Sequence, residues 1–286
     1  MIRKITFAIL TLVSPFTGYT QESTSENVLF NVTYNFTHVN NLNDKLSPIK
    51  QAMVLSLGKS SSRYIEYETF QRIAAPKQKL TSTAGLRVVT GKPAVLLGSN
   101  GAIVTETLFQ FPNKGQLEVL SFIGNKQYLA VFPLPKINWS LKSEFRDIEG
   151  YKCQKAVGDF AGRTYTAWFT PDLPFNSGPY KLSGLPGLIL EAEDENREVR
   201  FTFKSIEREV NPDMKIDGGK EGQVIRVSQS DYKRAVKAYI ASPETYMQQQ
   251  LPAGSTKVTT MQAEGTQDKS GMKTKFLANP VELKAN

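Results

Sequence analysis

The 286-residue chain predicts a mainly β fold: an antiparallel meander with one or two short helices towards its C-terminal end. Three observations carry this reading. Apolar and polar residues alternate over short stretches, as a strand with one wet face requires. Clusters of Gly, Pro, Asn, Asp and Ser punctuate those stretches as turns do. Helical apolar spacing is confined to the residues after Pro212.

The first residues read as an export signal. Arg3 and Lys4 are the positive start, Ile5 to Val13 an apolar stretch of signal-peptide length, and Gly18 and Thr20 the small residues before a cut at Gln21. Residues 1–20 are expected to be removed, leaving 21–286 as one β-rich domain with no transmembrane span, which would need roughly 20 apolar residues. No cysteine near the cut offers a lipid attachment point, so a periplasmic or extracellular location is expected. Cys153 is the only cysteine, which excludes an internal disulfide and suits a bacterial exported protein. The 35 basic and 27 acidic residues are spread along the chain. That excess reads as solubility charge; an extracytoplasmic partner would be an envelope component rather than nucleic acid.

Val28 to Phe36 alternates as a first strand, and His38 to Lys50 reads as a loop. Met53 to Leu57 and Arg63 to Tyr67 read as strands around Gly58-Lys59-Ser60-Ser61-Ser62. Gln71 to Ala84 reads as a polar excursion. Further strands are expected at Val95–Leu97, Ile103–Phe109, Leu117–Ile123 and Tyr128–Phe132, the last stopped by Pro133 and Pro135. Trp139-Ser140-Leu141 reads as a strand, followed by a turn at Asp147–Gly150 and a strand at Tyr151–Ala156. A turn is expected over Gly158–Gly162 before Arg163–Phe169, which places Arg163, Tyr165, Ala167 and Phe169 on one face and Thr164, Thr166 and Trp168 on the other.

Gly184-Leu185-Pro186-Gly187-Leu188-Ile189-Leu190 is the oddest string. Leu185 to Leu188 fits a type II turn, with proline second and glycine third, feeding a buried strand. Leu188–Ala192 and Glu198–Ile206 are expected to pair across Asp194–Arg197. Asp213–Gly222 reads as a link, Ser230 as the N-cap of a helix to about Ala241, and Pro243 as the start of a second helix through Gln250. Residues 253–273 lack apolar periodicity and read as a flexible segment; Phe276–Leu283 reads as a last short strand or a surface-docked piece.

Gly150-Tyr-Lys-Cys-Gln-Lys-Ala156, Phe160-Ala-Gly-Arg163, Thr166-Ala-Trp-Phe-Thr-Pro171, Gly178-Pro-Tyr-Lys181 and Gly184–Leu190 follow one another in order. Together they resemble the GLPGLI family, exported proteins of the Bacteroidota. Met53–Gly58 and Asn279-Pro-Val-Glu-Leu283 resemble the family's early strand and ending. The resemblance implies a curved, half-barrel-like antiparallel sheet similar to periplasmic lipoprotein carriers. It implies no catalytic residue and no cofactor, because the family has no established activity.

Catalytic and metal patterns are weak. His38 is the lone histidine, expected at the surface, which leaves a Ser-His-Asp triad unsupported. Ser47-Pro-Ile-Lys50 and Ser56-Leu-Gly-Lys59 match Ser-x-x-Lys without its companion motifs. Glu191, Glu193, Asp194 and Glu195 read as a solvated turn rather than a calcium loop. No Cys or His pair has zinc spacing. Cys153 lies between Lys152 and Lys155, neighbours that lower a thiol pKa when close, but reads as a small buried hydrophobe. The expected function is non-enzymatic binding of a lipid, peptide or protein partner, with Trp139, Trp168, Phe169, Tyr180 and Leu185 lining a groove. The alternatives are a hydrolase using carboxylates such as Asp159 and Asp172, and a structural accessory of an outer-membrane complex.

Overall fold

The computed structural model describes residues 25–75, 106–124, 126–219, 224–250 and 281–283. The expected signal segment 1–20, the Val95–Leu97 strand and the 253–273 segment lie outside these residues. The strands are β1 Glu26–Asn27, β2 Phe30–His38, β3 Ile49–Leu57, β4 Ser62–Glu66, β5 Thr107–Phe111, β6 Gln116–Ile123 and β7 Lys126–Pro133. They continue as β8 Ser140–Ile148, β9 Tyr151–Phe160, β10 Arg163–Thr170, β11 Leu188–Asp194, β12 Val199–Arg208, β13 Lys215–Ile216 and β14 Val224–Val227. Helices α1, α2 and α3 span Tyr67–Ala74, Gln229–Ala241 and Pro243–Gln249.

Twelve strands form one open, mostly antiparallel sheet in the order β14-β7-β6-β5-β4-β3-β2-β12-β11-β10-β9-β8. Two meanders, β2 to β7 and β8 to β12, are joined where β2 pairs with β12. Alternation sets the inner face. Val32, Tyr34, Phe36 and His38 of β2 stand opposite Leu55, Met53, Gln51 and Ile49 of β3. The same face continues through Tyr64, Leu108 and Val119 on one side and through Phe201, Ala192, Ala167 and Ala156 on the other. These residues join one apolar core, so the sheet wraps around it. Helix α2 closes the inner face over β6 and β7, where Tyr232 Oη meets Ser121 Oγ at 2.9 Å and its ring packs edge-on against Phe132. A smaller core of Val28, Phe109, Phe111, Met214 and Ile216 covers the outer face of β4 to β6 beneath the β1–β13 ribbon.

Several expectations shift. Residues 71–74 belong to α1, where Tyr67, Phe70 and Ala74 recur at helical spacing and the Glu66 carboxylate accepts the Thr69 N–H. The tight turn after β9 is only Ala161-Gly162, at φ 51° and 85°, the positive pair of a two-residue hairpin. Gly158 to Phe160 continue the strand. Trp139 precedes β8 rather than lying in it. Helix α2 is capped by Ser228, whose hydroxyl accepts the Asp231 N–H at 3.1 Å, rather than by Ser230. The 213–222 link contains β13, and β14 adds a parallel strand to β7. His38 is fully buried, because it continues the inner-face alternation of β2 and stacks on Phe36.

Candidate functional site

The long connection from β10 to β11, residues 171–187, fills the inner face. Leu173, Phe175, Tyr180, Leu182 and Leu185 pack into the main core, each fully buried side chain contributing roughly 1.5–3 kcal/mol of burial. Phe175 meets Phe30 edge-on at 5.8 Å; Tyr180 meets Tyr64 edge-on and stacks on Phe201, both at 6.5 Å. Polar ties fix the plug to the sheet: Gln110 Nε2 donates to the Tyr180 carbonyl at 2.8 Å, and Ser177 Oγ lies 3.2 Å from Ser62 Oγ.

The plug ends in a turn different from the expected one. Gly187 N–H donates to Leu185 O at 2.8 Å, a three-residue turn around Pro186, and Leu188 N–H reaches across to Leu173 O at 2.9 Å. Gly187 has φ 149°, and a Cβ there would stand 2.1 Å from Thr170 O. The glycine is needed because two backbone segments meet at this point.

The five residues expected to line a groove are divided between the faces. Phe169, Tyr180 and Leu185 are buried in the plugged interior. Trp139 is half-buried at its rim, donating Nε1–H to Ser183 O at 2.8 Å. Its ring lies against Gly158, where a Cβ would come within 2.8 Å of it. Trp168 lies on the outer face opposite Lys155 and Glu191. The Arg146 guanidinium sits 4.2 Å above its ring and pairs with Glu191, and Lys155 pairs with Glu144 at 2.9 Å. Two open depressions of about 360 and 350 Å³ mark this outer face, one beside Asn35, Thr37 and Lys50, the other beside Thr164, Thr166 and Glu193.

Strand β8 pairs only with β9 among the described residues and is a free edge. Ser140 to Asp147 are all exposed, including Leu141 at 49% and Phe145 at 54%. The register slips between Leu141 and Phe145.

The remaining candidates separate cleanly. Asp159 accepts the Thr164 hydroxyl at 2.7 Å, while Asp172 follows the other end of β10. The strand rise puts them on the order of 25 Å apart, against the roughly 5–10 Å of a carboxylate pair that cleaves glycosides. Cys153 is fully buried; burial pushes its thiol pKa up to about 11, although Arg146 pulls against that shift. Among the described residues, no group of three or more His, Cys, Asp or Glu is placed to hold a metal.

One polar cluster gave no sequence signal. Arg163, buried on the inner face, donates to Asp194 at 2.5 Å, to Glu198 at 2.9 Å and to the Val281 carbonyl at 3.1 Å. Burial acts against its charge, but the hydrogen bonds it gives to Glu198 and Asp194 outweigh it and raise the pKa. Asp194 also accepts the N–H groups of Glu198 and Val199, both at 2.7 Å, which fixes the β11–β12 turn. Glu282 takes the Tyr180 hydroxyl and the Lys181 ammonium on one oxygen, each at 2.5 Å. Segments distant in sequence, Phe160–Arg163, Tyr180–Lys181 and Val281–Leu283, thus converge.

A family model described as "Protein of unknown function (Porph_ging)" matches residues 160–191, which run from the end of β9 through the plug into β11. No curated protein matches the chain. Among solved structures, PNGF-II in its P21 and its C2 crystal form is similar in fold, with a TM-score of 0.51 and 15% identity in each case. The match covers 73% of this chain and 33% of PNGF-II, so the chain spans about a third of that protein's length.

Proposed function

We propose that this chain is an exported envelope protein of the GLPGLI family that binds a peptide or protein partner without catalysis. The observation that carries the proposal is the pairing of a plugged inner face with an open edge. The 171–187 connection occupies the place where a half-barrel carrier would hold a lipid, whereas β8 combines two exposed apolar side chains, Leu141 and Phe145, with a strand edge unpaired among the described residues. An edge strand offers unpaired backbone N–H and C=O groups, and strand addition uses these for affinity and side-chain contacts for specificity. Trp139, on the plug rim just before β8, would border a partner strand there.

The 160–191 match supports kinship with a Bacteroidota-type family whose members have no assigned activity. Burial of Phe169, Tyr180 and Leu185 favours a second form of the same reading, in which the partner is a permanent neighbour in an outer-membrane complex and the aromatic residues are core. The test is a photo-crosslinking amino acid placed at Phe145, and separately at Lys204 on the outer face, in cells that express the protein. A discrete protein adduct at 145 and none at 204 supports edge binding. Equal labelling at both positions, or none at either, contradicts it.

A further inference from the structure

We propose that Ala161, Arg163, Tyr180 and Lys181 form an acceptor for a short peptide that carries an apolar residue followed by Glu, filled within the chain by Val281–Leu283 and open to the same segment of a second copy. The site is built for a peptide. Arg163 Nε donates to the Val281 carbonyl at 3.1 Å and the Leu283 N–H donates to Ala161 O at 2.9 Å, so one side-chain donor and one main-chain acceptor hold the peptide backbone two residues apart. Between them Glu282 is held by a hydroxyl and an ammonium, and Val281 is buried in the core. Arg163 is itself fixed by Asp194 and Glu198, so the donor set does not depend on the peptide for its shape. Tyr180 holds φ 57°, a costly conformation for a tyrosine that sends its carbonyl to Gln110 and its hydroxyl to Glu282.

The second copy follows from chain length. Residues 251–280 separate α3 from Val281 in sequence; fully extended, that number of residues reaches on the order of 100 Å. Delivery of Val281–Leu283 to a neighbouring molecule is therefore within reach, and the choice between the chain's own segment and a neighbour's is one of effective concentration. This proposal stands apart from edge binding, since β8 contributes no contact to the site.

The probe is a fluorescent peptide of residues 277–286, titrated by anisotropy into the full chain. The Glu282→Lys chain sets an ammonium against Lys181 and frees the site from its own segment. It should bind the peptide saturably, at least tenfold tighter than the unsubstituted chain, and should not bind a peptide carrying Glu282→Lys. Leu283→Pro, which deletes the N–H given to Ala161, should open the site in the same way if the first variant folds poorly. Absence of peptide binding by both opened chains, or equally tight binding by the unsubstituted chain, overturns the proposal.

Discussion

Replacing Gly187 by alanine tests the crossing of the plug over the end of β10. The added Cβ would stand 2.1 Å from Thr170 O and 2.6 Å from Thr170 C, both backbone atoms that cannot swing aside. Overpacking of this kind costs about 1–3 kcal/mol, and a disfavoured φ adds about 1–3 kcal/mol. Displacement also strains the bonds from Gly187 N–H to Leu185 O and from Leu188 N–H to Leu173 O, each contributing about 0.5–1.5 kcal/mol. The expected loss is about 3–9 kcal/mol, a large part of the 5–15 kcal/mol typical of a domain. Gly115 is the control: its φ is 60°, yet a Cβ there would meet nothing within 4 Å. Gly115→Ala should cost only the conformational part, about 1–2 kcal/mol. Urea unfolding followed by the fluorescence of Trp139 and Trp168 measures both. If Gly187→Ala loses no more stability than Gly115→Ala, the close approach is not real.

Other outcomes follow from the same geometry. Tyr34 Oη donates to Ile189 O at 2.7 Å, whereas the Tyr64 hydroxyl is buried with no partner among the described residues. Tyr34→Phe should therefore cost about 1 kcal/mol in urea unfolding, while Tyr64→Phe should be neutral or slightly stabilising; equal losses would contradict these environments. Phe169→Ala, on the inner face, should lose about 3–5 kcal/mol, and Trp168→Ala, on the outer face, less than half of that. The reverse order would invert the face assignment of β10. Cys153 holds its proton to about pH 11 in the folded chain, against 9.0 for an ordinary thiol. Its contribution is complete below pH 9 and is lost as pH rises through 11, on the order of 2–3 kcal/mol for that shift. Cys153→Ala should flatten the fall in stability between pH 9 and 11, and an unchanged slope would count against a buried thiol.

Strands were legible where one period dominated. The alternation of Arg163 to Phe169 assigned each side chain to its face, and the pairing of Leu188–Ala192 with Glu198–Ile206 across Asp194–Arg197 is present in the sheet. His38 misled because its neighbours read as a polar loop, although the period of two carried it inward with Phe36. Gly187 was legible as a glycine that its neighbours require, but the reason lies in Thr170, seventeen positions earlier. No local pattern reports such a crossing. The plug was illegible for the same reason: residues 171–187 have the Pro, Gly and Asn content of a surface turn, yet they cover apolar strands far away in sequence. Arg163 is bound by residues 194, 198 and 281, a convergence that only the folded chain brings about.

Among the described residues, the protein's own 171–187 connection packs onto the inner face where a lipid cargo would sit. Native mass spectrometry of the protein purified from its own envelope measures this directly. The expected mass is that of the polypeptide, alone or with a protein or peptide partner. A lipid retained in one-to-one stoichiometry through gentle desolvation would contradict it.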